Sequence, residues 1–152
     1  MENGKEVIIS VVGNQNSTGE GTPLELVTEG TFYKEENSFM ATYKETKITG
    51  MEGTTTTVTI SPERVILTRA GSVNSQMIFE KGQKHVSYYD TVHGAFTIGV
   101  FTNAIKVNMN EHGGELKIDY HLEIDNADAG TNDFNMIIRE VGTDGREFDK
   151  EY

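Results

Sequence analysis

From Leu116 to Ile124 the chain alternates strictly. Leu116, Ile118, Tyr120, Leu122 and Ile124 occupy one set of positions, and Glu115, Lys117, Asp119, His121 and Glu123 the other. Successive side chains of a β-strand leave to opposite sides, so this stretch covers a core with one face and meets water with the other. Ile105, Val107 and Met109 oppose Lys106, Asn108 and Asn110 in the same way. Short runs of this kind recur along the whole sequence, and apolar spacing of helical period is nearly absent. They predict strands at 7–12, 24–33, 38–44, 54–60, 64–69, 76–79, 85–92, 96–102, 105–109, 115–124 and 134–141. Turn-forming stretches part them: EEN, SPER, AGSVN, KGQ, HG, EHGG and NADAGTND. Pro62 suits the second position of a type I turn, and Pro23 sits just ahead of a strand, where its missing N–H does no harm.

The run TTTTVTIS is a strand of the same kind. Thr55, Thr57 and Thr59 share a hydroxyl-bearing face opposite Val58 and Ile60, and β-branched threonine fits a pleated surface. So many strands with short connections must protect their edges, and closure does that best. The expected fold is therefore all-β: one antiparallel barrel of about 8–10 strands. A two-sheet sandwich is the alternative. Residues 1–152 read as a single domain, with a mostly charged tail at 142–152 that is expected to fray.

Charge and composition narrow the function more than they define it. The 152 residues carry a formal net charge of −11. That balance disfavours nucleic acid and anionic membranes as partners, since both are repelled, and it suits a monomer or small homo-oligomer. Without cysteine there is no disulfide framework, thiolate zinc site or cysteine nucleophile. The opening MENGKEVIISVV reads as a first strand, not a signal peptide, and no stretch approaches the ~20 apolar residues of a membrane span. A cytoplasmic protein is the expectation.

Candidate chemistry begins with YYDTVHG, residues 88–94. In a strand Tyr89 and Thr91 share a face with His85 and Ser87, while Tyr88 and Asp90 share the other, so Asp90 cannot orient His93 as a base. His93-Gly94 reads instead as part of a turn. The four histidines show no His-x-His or HExxH spacing, and no metal or other cofactor is expected. The acidic stretch DNADAGTND fails the spacing of a calcium loop and reads as a hairpin connection. No G-x-S-x-G is present, and GNQNSTGEG lacks the lysine of a phosphate-binding loop, leaving it a flexible rim.

One arrangement keeps its interest. Glu45 continues the row Phe39, Ala41, Tyr43, and Arg69 continues the row Val65, Leu67. Each charge thus ends an otherwise apolar face, near a barrel mouth if those faces point inward. Tyr89 and Thr91 are placed to complete a polar cluster there. An Arg–Glu pair over an apolar lumen suits a ligand with a carboxylate or hydroxyl head and a greasy body; its competitor is a structural ion pair closing the barrel end.

The ordered motifs YKE (43–45), TTTTVTI (54–60), LTRAG (67–71), MIFEKG (77–82), YYDTVHG (88–94), FTNAI (101–105) and LKIDYHLEI (116–124) resemble the YwiB-like family. These are small β-barrel proteins of Gram-positive bacteria with a fold similar to the lipocalins. The resemblance spans nearly the whole chain and implies a calycin- or lipocalin-like barrel, but no activity. It departs from the family pattern at His93, where an aromatic is expected before the glycine.

Three functions follow as expectations. The first is a small amphipathic ligand held inside the barrel by Tyr43, Glu45, Arg69, Tyr89 and Thr91. The second is a structural or partner-binding domain whose interior is filled by Phe32, Phe39, Tyr43, Phe79, Phe96, Phe101 and Tyr120. The third, an enzyme acting on a small organic acid, rests on fold analogy alone.

Overall fold

A computed structural model describes residues 4–15 and 24–141. Pro23, most of the GNQNSTGEG stretch and the tail 142–152 lie outside the described residues. The strands are β1 (Lys5–Gln15), β2 (Leu24–Lys34), β3 (Phe39–Lys44), β4 (Thr54–Ile60), β5 (Val65–Gly71), β6 (Asn74–Phe79), β7 (Lys84–Thr91), β8 (Gly94–Asn110), β9 (Gly113–Ile124) and β10 (Ala127–Glu140). Each pairs antiparallel with its neighbours in sequence, and β10 pairs back onto β1 to close the barrel. This up-and-down closure leaves no free first or last strand, and it is the arrangement used by lipocalins.

The inward faces are those that the alternation predicts. Val7 and Ile9 on β1, Val58 and Ile60 on β4, Val65 and Leu67 on β5, and Leu116 and Ile118 on β9 are buried. Their opposite faces carry Thr55, Thr57 and Thr59 of β4 and the charges of β9. Aromatic expectations divide. Phe32 and Phe79 are fully buried, whereas Phe96 and Phe101 are 38% and 39% exposed. Phe101 lies across from Lys84 and His121 on the outer face, because its parity differs from that of Val100 and Thr102.

Two boundaries differ from the alternation's forecast, both because of a bulge. The separate strands expected at 96–102 and 105–109 are one strand of 17 residues, β8. Its register against β9 shifts between Thr102 and Ala104, so Asn103 is an extra residue. An extra residue reverses parity: Ile98, Val100 and Thr102 face inward before it, and Ile105, Val107 and Met109 after it. Likewise NADAGTND is not a loop. Only Asp125 and Asn126 turn, with φ of 51° and 71°, and β10 starts at Ala127. A register shift between Asp128 and Thr131 then sets Asn132 facing inward.

One glycine shapes the wall. Gly30 occupies an inward position where a Cβ would lie 2.5 Å from Ile9 Cδ1 and 2.6 Å from the Thr42 carbonyl oxygen. Absence of a side chain lets β1 and β3 close in, and leaves outside a groove of about 560 Å³ lined by residues including Glu6, Glu29 and Lys44.

Candidate functional site

The polar residues gather at the barrel end where β3 finishes, β4 begins and β5 finishes. Cross-strand pairing places Tyr43 beside Thr56, Thr56 beside Arg69, Arg69 beside Ser75, and Ser75 beside Tyr89. All five have inward parity, so the ladder makes one polar row across five strands. Glu45 follows β3 by one residue beyond Lys44, and its N–H still donates to the Thr54 carbonyl at 2.8 Å. That bond keeps the alternation going and turns the carboxylate inward. At Gly71, which ends β5 with φ 135°, a Cβ would stand 2.2 Å from the Gly53 carbonyl oxygen. The chain therefore turns away immediately after Arg69, with the 45–53 connection held against it by Ser72 Oγ donating to the Glu52 carbonyl at 2.9 Å.

Glu45 is 5% exposed, and its Oε2 accepts a hydrogen bond from the Thr56 hydroxyl. Arg69 Nε lies 3.7 Å from the same oxygen. This is an ion pair, but it is longer than the ~2.7–2.9 Å of a charge-assisted hydrogen bond, so Glu45 does not consume the guanidinium's donors. Nε has no hydrogen-bond partner, and Nη1 points only to the Met77 sulfur at 4.0 Å. Burial, reinforced by the Glu45 carboxylate, pushes the Tyr43 hydroxyl well above its ordinary value and keeps it protonated. Tyr120 is raised by burial too, with the Arg69 charge acting in the opposite direction.

Tyr120 belongs to a second polar row on the facing wall. Thr102, Tyr120 and Asn132 are cross-strand neighbours on β8, β9 and β10. The hydroxyl of Thr102 and the amide nitrogen of Asn132 are buried without a hydrogen-bond partner, and so is Ser75 Oγ on the first row. Buried polar groups are nearly always satisfied. On the inward side of the barrel these three stand out as exceptions.

Of the residues expected at the site, Tyr43, Glu45 and Arg69 come together. Tyr89 shares their row, but its hydroxyl donates to the Met51 sulfur at 3.5 Å, and its ring tilts against Phe96. Thr91 is elsewhere: its hydroxyl donates to the Gly94 carbonyl and accepts from the His93 N–H, both at 3.0 Å, fastening the β7–β8 turn. Asp90 is on the outer face of β7 opposite Asn74, and His93 is exposed in that turn. Each of the other histidines meets a carboxylate: His85 and Glu80 at 3.0 Å, His112 and Glu140 at 3.3 Å, His121 and Asp128 at 2.9 Å. Among the described residues no three metal-ligating side chains converge.

Ser75, Thr102 and Asn132 escaped the reading of the sequence. Thr102 was legible from its parity with Ile98 and Val100. Ser75 fell between the turn AGSVN and the strand expected at 76–79, and Asn132 lay in a stretch read as a loop.

The chain matches known proteins at the level of family and fold. A family model described as a domain of unknown function (DUF1934) matches residues 9–136. The crystal structure of the ywiB protein from Bacillus subtilis is similar with a TM-score of 0.70, over 93% of this chain and 94% of that one, at 20% identity. At that identity the likeness concerns the fold. No curated protein matches.

Proposed function

Because the chain belongs to the DUF1934 family, whose description carries no activity, we propose a function from the lumen itself: binding of a small amphipathic molecule inside the barrel. One observation supports this reading above the others. Arg69 Nε, Ser75 Oγ, Thr102 Oγ1 and Asn132 Nδ2 are buried and unpartnered at inward-facing strand positions, above an end lined by Phe32, Ile60 and Val65 that is apolar. Leaving a buried donor unmade costs about 1–3 kcal/mol, so an occupant that accepts those bonds is strongly favoured. Apolar side chains on the same faces, Leu67, Met77, Phe79 and Val100, suit its body.

Titration with an environment-sensitive hydrophobic dye tests the reading. Saturable uptake at one site is expected, unchanged in Tyr88→Ser on the outer wall and lost in Ser75→Phe, which fills the polar end. Uptake that disappears with Tyr88→Ser and survives Ser75→Phe contradicts it.

A second reading, a surface for a protein partner, draws on the outer face of β7 and its turn. Val86, Tyr88 and Val92 are 61%, 73% and 82% exposed there. Exposed apolar side chains grouped on one face are a feature of interaction sites. Light scattering of the wild type and Tyr88→Asp tests it: a mass that falls to that of one chain in the variant supports it, and equal masses count against it.

A further inference from the structure

We propose that residues 104–110 of β8 are the contact through which two copies of this chain pair, edge to edge and antiparallel, about a two-fold axis at Val107. The ladder between β7 and β8 ends at Lys84 and Phe101. One residue further the 80–83 turn still holds the strand, with the Gly82 N–H donating to the Thr102 carbonyl at 2.8 Å. After the bulge at Asn103, β8 runs on beside β9 alone, from Ala104 opposite Asp119 to Asn110 opposite Gly113. Among the described residues no strand pairs with its other side. An open strand edge presents a row of backbone donors and acceptors, and a further strand completes it. Side-chain cover is unfinished there as well. Val107 is paired with Leu116 and Ile105 with Ile118. Leu116 and Ile118 are 0% and 2% exposed, whereas Ile105, Val107 and Met109 pack against the same core and are only half-buried.

The residues along this edge fit a second copy of themselves. Antiparallel pairing centred on Val107 sets Val107 against Val107 and Ile105 against Met109, apolar on apolar. It also sets Lys106 against Asn108 of the partner subunit. Centring the axis on Lys106 would oppose two ammonium groups, and centring it on Asn108 would shorten the overlap to 106–110. Charge agrees with the first register. Each copy carries −11, so two copies repel over most of their surface. The 17 residues of β8 include no Asp or Glu, and Lys106 is their single charge. Within one chain Lys106 is paired with Lys117, and Asn108 with Glu115. The dimer therefore lays the Lys106–Lys117 row of one copy against the Asn108–Glu115 row of the other, basic against acidic. Such a contact uses the same patch on both copies, so it closes at two and does not propagate.

Sedimentation velocity of the full chain over a concentration series tests the proposal. A mass near twice that of the chain is expected at high concentration and that of one chain on dilution, because a single pair of strands makes a small interface. Asn108→Lys opposes like charges at both ends of the axis and should abolish the dimer. Inside the chain the new ammonium meets Glu115, so the melting temperature should not fall. Adding Lys106→Glu to Asn108→Lys restores opposite charges at the same two places, and the dimer should return. A wild type that stays single at every concentration overturns the proposal. So does a dimer that survives Asn108→Lys, or one that the double change fails to recover. A dimer that survives Asn108→Lys and dissociates in Tyr88→Asp belongs to the outer face of β7 instead.

Discussion

The two ends of the barrel are built from the same ten strands and differ in what those strands send inward. At the end formed by the β4–β5 hairpin and the last residues of β6 the interior is hydrocarbon. Ile60, Val65 and Phe79 are at most 1% exposed, and Phe32 stacks on Phe39 at 5.6 Å with Lys34 Nζ over the Phe39 ring. At the other end the inward positions pass to Glu45, Thr56, Arg69, Ser75, Asn132 and Tyr120, and hydrogen-bonding capacity outruns the partners present. Along β9 alone burial falls off, from Leu116 and Ile118, at 0% and 2% exposed, to Ile124 at 37%. One end is a floor that holds the barrel together; the other is a polar mouth whose side chains are incompletely satisfied. On the proposed reading, stability and binding belong to different parts of one lumen.

That division can be broken by mutation, beginning with the largest effect. Glu45→Gln leaves Arg69 buried without a counter-charge and should cost about 3–5 kcal/mol in urea denaturation, while the double change Glu45→Met with Arg69→Met should cost less than that single change. If the double change costs as much as the sum of the two singles, the pair is not coupled. Next, Ile118→Ala in the floor should cost about 2–5 kcal/mol through lost burial and the cavity left behind. Leu122→Ala, two inward positions further along β9, should cost about 1 kcal/mol or less. Equal costs would erase the contrast between floor and mouth. Thr102→Val should do the reverse and stabilise the unliganded protein by about 1 kcal/mol, because it replaces an unpartnered buried hydroxyl with a methyl group of the same shape.

Two smaller effects are read from pH. Tyr43 is held protonated in the fold, so its contribution is complete below pH 10, where the unfolded chain also keeps the proton. Above pH 10 the unfolded chain releases that proton and the folded one does not, so stability declines as pH rises. Tyr43→Phe should flatten this alkaline decline, measured as the urea midpoint between neutral and strongly alkaline pH; Tyr120, raised in the same direction, retains part of it. Glu140 behaves oppositely. The Lys5 ammonium donating to it at 2.7 Å holds its carboxyl below the ordinary value. Its contribution is present above the unfolded value of 4.5 and fades on acidification through the folded one. Both side chains are about a third exposed or more, so solvent screens the pair, and Lys5→Met should cost no more than about 0.5 kcal/mol near neutral pH.

How much of this was legible in the sequence depended on parity. Wherever alternation ran unbroken, as in Leu116–Ile124 or Thr54–Ile60, inward and outward sets could be assigned without coordinates. The Glu45–Arg69 pair followed from the same rule applied from Phe39 and from Val65. What failed lay next to irregularities that a period of two cannot anticipate. The bulge at Asn103 made one strand look like two, and the shift after Asp128 concealed that Asn132 faces inward. Thr91 failed for another reason. Its parity is inward, but its hydroxyl is bonded within the turn by the Gly94 carbonyl and the His93 N–H. Short-range hydrogen bonding to the backbone overrode the strand face.

Native mass spectrometry of gently purified protein tests most directly whether the polar mouth is occupied. The account predicts a species heavier than the chain by a small organic molecule, released when the protein is denatured and absent from Ser75→Phe prepared in parallel. The bare mass of the chain in the native state, in the wild type as in the variant, would contradict it.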